Sequence, residues 1–324
     1  MSRNQSSAYS GAADDSAKLQ LVYFGLFDNC NVRCNMCECW RLPRSVLPLD
    51  HYQKVLTAVL ALKPRAIRFT GGEPLLFKDL PALVRQATDA GVRVSVISNG
   101  RILGSKLSVL AQNGCKEIVL SIDGVGATHD SIRGTSGLFD HCLKAIHRLS
   151  ELAMPYGVNT VVQARGAPDI VALSELLHSA PTPPTWWHII PVRGNTDLQL
   201  DSADKEAFQA IVPSLRRRMK KSNTAVIIAD NLASNIGIGP CTVPIFTMYV
   251  RADTGELFGC NMLAYASHSI GNIVKDTPED AWNGSEAISL RRRCSSGTNA
   301  ACGRCDAGSK AMNFYLRDLS NGTQ

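Results

Sequence analysis

The 324-residue chain has no apolar run near the ~18 residues that a membrane-spanning helix needs. No membrane partner is therefore expected. Its first residues, MSRNQSSAYSGAADDSAK, hold no apolar h-region and do not read as a secretory signal. Cysteine is too sparse for a small disulfide scaffold, since eleven in 324 is far below the ~8–10% of such chains. The count is also odd, so a closed set of disulfides would leave one thiol over. A large charge excess is missing too. Thirty-four basic and 28 acidic residues leave +6. The basic clusters at 216–221 and 291–293 read as solvated helix faces, not as a nucleic-acid surface. These absences leave a globular protein in a reducing, cytoplasmic setting. There, clustered cysteines more often hold metal than pair up.

What is present is a regular alternation. Residues 1–18 are small and polar and are expected to form a mobile tail. Strand patterns over 19–27, 65–70, 92–100, 116–124, 156–163 and 185–192 alternate with helical patterns. The helices are expected over 49–62, 80–91, 105–114, 137–152, 169–180 and 202–221. The strands are rich in Val and Ile, as buried parallel strands are. Six units are too few for a closed eightfold barrel. An open partial barrel and a doubly wound sheet both fit the pattern. Beyond about residue 225 the chain changes to short strands, glycine-rich turns and five of the eleven cysteines. A boundary at 222–223 gives two domains, 19–222 and 223–324.

Cys30, Cys34 and Cys37 follow the first strand with the spacing C-x3-C-x2-C. Three thiolates can hold one 4Fe–4S cubane and leave an iron open, whereas full ligation takes four cysteines. By counting alone, zinc with Cys39 as a fourth ligand also stands. Cys115 and Cys142 read as buried structural thiols.

Other segments recur at successive strand ends: Gly71-Gly72-Glu73-Pro74, then Asn99 in ISNG. LSIDG (120–124) follows, with His129, Asp130, Arg133 and Gly134 behind it, then NTVVQARG (159–166). Together with the cysteine loop this order resembles the radical S-adenosylmethionine (SAM) superfamily, over roughly residues 19–195. The resemblance implies a partial (β/α)6 barrel. It implies that the open iron chelates SAM, and that one electron from the cluster then releases a 5′-deoxyadenosyl radical that takes a hydrogen atom from the substrate. It assigns Cys30, Cys34 and Cys37 to the cluster. Around SAM it places Gly71, Gly72, Glu73, Pro74, Asn99, Ser121, Asp123, Gln163, Arg165 and Met36. The glycines would admit the methionine amine, Glu73 would accept from its ammonium, and Met36 would face adenine. An electron donor such as flavodoxin or ferredoxin is implied as a partner.

A second constellation is Cys241-x13-Gly255-x4-Cys260, followed by Cys302-x2-Cys305. Four thiolates can close a cluster or a zinc site. Beside the first motif the segment resembles the SPASM/twitch extension of radical SAM enzymes. The lack of cysteines after Cys305 favours the shorter twitch form with one auxiliary 4Fe–4S cluster. Cys294 is left over, as a replacement ligand, a hydrogen donor to a substrate radical, or a bystander.

The substrate is less legible. Trp186, His188 and Arg193, in WWHIIPVR, are expected near the reaction chamber, where they would stack on a ring or hold an anion. Alternation sends Trp187 to the opposite face. The layout resembles small twitch enzymes of antibiotic biosynthesis, which implies a small-molecule substrate: a sugar, aminocyclitol or nucleoside. Dehydrogenation, epimerisation, dehydration and decarboxylation all begin with the same hydrogen abstraction. The alternative is a peptide maturase that crosslinks or epimerises a ribosomal peptide. A non-enzymatic iron–sulfur or zinc protein is disfavoured by GGEP, ISNG and SIDG at strand ends.

Overall fold

The computed structural model describes residues 19–42, 46–192, 196–229, 232, 241–264 and 269–300. The expected tail at 1–18, Arg193, Cys302 and Cys305 lie outside the described residues. The six expected strands form as β1 (Leu21–Gly25), β2 (Ala66–Thr70), β3 (Arg93–Ser98), β4 (Glu117–Ser121), β5 (Tyr156–Val162) and β6 (Trp186–Pro191). Each pairs in parallel with the next. The helices between them are α1 (Leu49–Ala61), α2 (Leu80–Asp89), α3 (Leu103–Gln112), α4 (Ala127–Arg133), α5 (Leu138–Glu151), α6 (Ala167–His178) and α7 (Ser202–Lys221). Local chemistry sets their ends. Pro81 opens α2, where its missing N–H costs no bond. Asp201 and Asp204 form a reciprocal capping box on α7. The short α4 is the one barrel helix that the pattern reading did not mark.

The sheet runs on past residue 222. A seventh parallel strand, β7 (Ala225–Ile228), extends β6. On the other side β8 (Thr247–Arg251) pairs in parallel with β1, and β9 (Glu256–Phe258) and β10 (Gly271–Asn272) follow antiparallel. The order is β10-β9-β8-β1-β2-β3-β4-β5-β6-β7, so the sheet does not close on itself. The cysteine-rich half is thus built onto the edge of the first strand. Among the described residues four short helices accompany it: α8 (Val243–Phe246), α9 (Asn261–Ala264), α10 (Pro278–Asn283) and α11 (Ser285–Ser295).

Burial separates barrel from flat sheet. One face of each strand, such as Ile67, Phe69, Val94, Val96, Trp187 and Ile189, is fully buried in the core. The other face carries Arg68, Ser95, Glu117, Asn159, Trp186 and His188. Arg68 on β2 lies 5.4 Å from the Trp186 ring on β6. Four strand spacings in a flat sheet would put about 19 Å between those strands. The sheet is therefore curved into an open barrel with these side chains in its lumen. Among the described residues no helix is long and apolar enough to cross a membrane.

Candidate active site

The loop after β1 carries Cys30, Cys34 and Cys37, and three other strand ends hold it. From the β2 end, Gly72 N donates to Phe27 O (2.6 Å) and Glu73 N to Asn29 O (2.8 Å). Beyond the β4 end, the carbonyls of Ile132 and Arg133 on α4 accept from Asn35 N and Arg33 N (3.0 and 3.2 Å). From the β5 end, Gln163 and Asn35 exchange side-chain amide bonds (2.7 and 3.2 Å). The glycines fit this close approach. A Cβ on Gly71, Gly72 or Gly134 would collide with the carbonyl of Phe27, Asn29 or Arg33, and Gly71 and Gly134 also have positive φ.

These contacts show what holds several of the expected residues in place. At Gly71 and Gly72 the cysteine loop lies so close that no Cβ fits. Glu73 is fully buried, and its carboxylate accepts from Leu75 N and Asn99 N (3.2 and 2.8 Å). Burial raises it to about 7 against those opposing bonds. It braces the strand ends. Pro74 is buried at the start of a single 3-10 turn. Asn99 Nδ2 donates to Asn31 Oδ1 (2.9 Å) and lies 3.7 Å from Cys30 Sγ. Asp123 is 2% exposed; its two oxygens accept from Val161 N (2.9 Å) and Arg133 Nε (2.5 Å). Gln163 Nε2 also reaches Met36 Sδ (3.7 Å), which sits in a small apolar cluster with Val32, Cys34 and Leu138.

The helix α4 supplies residues whose roles sequence reasoning did not assign. His129 and Arg133 are one turn apart and both buried. His129 Nδ1 accepts from Asp123 N (3.1 Å), which leaves its proton on Nε2, beside Cys142 Sγ at 3.8 Å. Burial, with Arg133 nearby, lowers the imidazole to about 4. Arg133 Nη1 reaches Cys34 Sγ at 3.9 Å. Asp130 accepts from Gly137 N and Phe139 N (2.5 and 2.8 Å) and caps α5. The i, i+4 spacing of His129 and Arg133 was the available signal.

Comparison with known proteins agrees with this geometry. Residues 25–168 match the family model of the radical SAM superfamily, and residues 241–306 match SPASM, an iron-sulfur cluster-binding domain. The chain belongs to the radical SAM superfamily. The Fe-coproporphyrin III synthase of Methanosarcina barkeri is 24% identical over 92% of this chain and 69% of its own length. The S-adenosylmethionine-dependent nucleotide dehydratase of Flammeovirga pacifica is 27% identical over 56% of this chain and 66% of its own. The solved structure of native anSMEcpe with bound AdoMet and Cp18Cys peptide shares the fold. Its TM-score is 0.67 at 16% identity, covering 94% of this chain and 99% of that one. The protein is an enzyme whose cofactors are SAM, a SAM-binding 4Fe–4S cluster and an auxiliary cluster.

The radical SAM loop fits its cluster. Among the described residues no three Cys, His, Asp or Glu side chains gather around a single ion, whereas a cubane takes its three thiolates on three separate irons. Asn99 and Arg133 point N–H groups at Cys30 and Cys34, as partners of ligating sulfurs do. Burial pushes the free Cys30 and Cys34 thiols up. A hydrogen bond from Cys39 holds Cys37 down and pushes Cys39 up. Cys39 therefore touches the ligand loop, and Cys115 and Cys142 are buried.

In the radical SAM enzyme's second half, Cys241 and Cys260 are both buried. The Thr247 hydroxyl contacts the carbonyls of Val243 and Gly259 (3.0 and 3.2 Å) and so ties their two segments together. Cys294 is 1% exposed on α11. Its carbonyl accepts from Cys241 N (2.8 Å), and its sulfur from Asn299 Nδ2 (3.4 Å).

The remaining expected residues are dispersed. Ser121 ends β4 opposite Asn159. Arg165 is an exposed turn residue with φ +62°, its N–H held by Asp204 Oδ1 at 2.7 Å. His188 faces the lumen between Asn159 and Ile227. Trp186 is not brought to the cysteine loop. It opens β6 at the far end of the barrel, where Gly157 leaves room for the indole and Nε1 donates to Glu117 Oε1 (2.9 Å). Glu117 also pairs with Arg68 (2.9 Å), whose Nε donates to Ser95 Oγ (2.9 Å). These four side chains floor the lumen.

Proposed function

We propose that this radical SAM enzyme acts on a small hydroxylated molecule: a sugar, aminocyclitol or nucleoside. The observation that carries this reading is the polar lumen, with Asn159 and His188 above a floor of Arg68, Ser95, Glu117 and Trp186. These groups offer hydrogen bonds to hydroxyl groups, beside the apolar Ile97, Val119, Val161 and Ile190 on the same strand face. The likeness to a nucleotide dehydratase supports the same class. When bound, the cluster and SAM supply a hydrogen-abstracting 5′-deoxyadenosyl radical. The chain's own part is to fix the cysteine loop against three strand ends and to keep water from entering through the barrel floor. The outcome is dehydrogenation, epimerisation, dehydration or decarboxylation.

The test is anaerobic reconstitution with iron, sulfide, SAM and a low-potential reductant. 5′-Deoxyadenosine is then measured by chromatography against three substrate panels. Sugars, aminocyclitols and nucleosides are expected to raise it at least tenfold over the no-substrate rate. Stimulation by precursor peptides or by coproporphyrins alone overturns the proposal.

A further inference from the structure

Arg133 stands between two groups of opposite demand. Its guanidinium Nε donates to the Asp123 carboxylate at 2.5 Å, and Nη1 reaches the sulfur of Cys34 at 3.9 Å. All three residues are at least nine-tenths buried. The backbone repeats the link, because the Arg133 carbonyl accepts from Arg33 N, next to Cys34. We infer that Arg133 is a positioning residue that holds Cys34 and sets the reduction potential of the SAM-binding cluster.

The physical basis is charge. Reduction adds one electron, from an external low-potential donor, to a cluster already surrounded by thiolates. A cation beside one ligand sulfur favours that added negative charge, and burial keeps the interaction from being screened. Asp123 opposes the cation from its far side and sets how much of it the cluster feels. Hydrogen bonds to cluster sulfurs tune potential in the same direction. The inference rests on the cluster held by Cys30, Cys34 and Cys37 and is independent of the proposed substrate.

The experiment is a redox titration of reconstituted holoenzyme, following by EPR the cluster signal that SAM perturbs. Arg133→Met with Asp123→Asn removes both charges and leaves no buried carboxylate unpaired. It is expected to make reduction at least tenfold less favourable, a downward midpoint shift of about 59 mV for one electron. Asp123→Asn alone is expected to raise the midpoint. Arg133→Lys keeps the charge and should stay within tenfold of the unmodified enzyme. Iron content and the SAM response of the signal report separately on the cluster itself. An unchanged midpoint in the double variant with iron retained overturns the inference and leaves a purely structural role. Should that variant lose its first-site iron, Asp123→Asn decides: a raised midpoint supports the inference, and an unchanged or lowered one overturns it.

Discussion

The Glu73 carboxylate accepts the backbone N–H of Asn99 at 2.8 Å. That bond joins the GGEP turn after β2 to the ISNG end of β3. Asn99 then carries the link to Asn31 and Cys30. The cysteine loop is therefore held by groups that touch one another, not by independent strand ends.

Burial of the same carboxylate makes stability depend on pH. Burial raises Glu73 to about 7 from 4.5. For a raised carboxylate the stabilising share is full below the unfolded value and is lost as pH rises through the folded one. Between pH 5 and pH 8 the enzyme is expected to lose about 2 kcal/mol more than Glu73→Gln. Urea unfolding at both pH values measures this; a pH-independent difference would refute it.

His129 has the opposite sign. It is lowered to about 4 by burial and by Arg133. Its stabilising share is present above the unfolded value of 6.5 and is lost as pH falls toward 4. From pH 8 to pH 5 the enzyme should lose about 2 kcal/mol more than His129→Gln. Equal losses in the two proteins would show that the imidazole is protonated in the fold.

Gly134→Ala and Gly91→Ala form a matched pair. Both glycines have positive φ, but only at Gly134 would a Cβ meet backbone, the Arg33 carbonyl in the cysteine loop. Gly91→Ala should cost about 1 kcal/mol in strain and leave iron unchanged. Gly134→Ala should lose much of the first cluster, about four of about eight irons per chain. An iron assay after reconstitution separates the two.

Replacing Cys30, Cys34 and Cys37 together by Ala should abolish 5′-deoxyadenosine formation and keep about half the iron. Cys294→Ala, at a site enclosed by α11 and Asn299, should leave iron unchanged. Loss of the auxiliary half of the iron in Cys294→Ala would make that cysteine a ligand.

Much of this was readable one segment at a time. The period-2 and period-3.6 patterns located six barrel strands and six helices to within a few residues, and α7 from Ser202 to Lys221. Helix α4 escaped because seven residues give too little periodicity to stand out from a loop. The strand-end motifs were recognised as a set, but Glu73, Asn99 and Gln163 were read as facing a ligand. In the fold they also hydrogen-bond one another's loops. A carboxylate or amide looks the same in sequence whether its partner is a ligand or a backbone N–H thirty residues away.

The amino-acid order by itself determined the β/α alternation, the three-cysteine loop after β1, and the alternation that sends Trp186 and His188 to one face and Trp187 to the other, because these are short-range properties of a twisted strand and a helical turn. Only the tertiary structure decided that β8 continues β1 and that Trp186 and Arg68 meet across the three strands between them to floor the barrel. It alone placed Arg133 against Cys34. Those contacts depend on the curvature of the whole sheet, which no local pattern encodes, and on loops from separate strands packing so closely that only glycine fits between them.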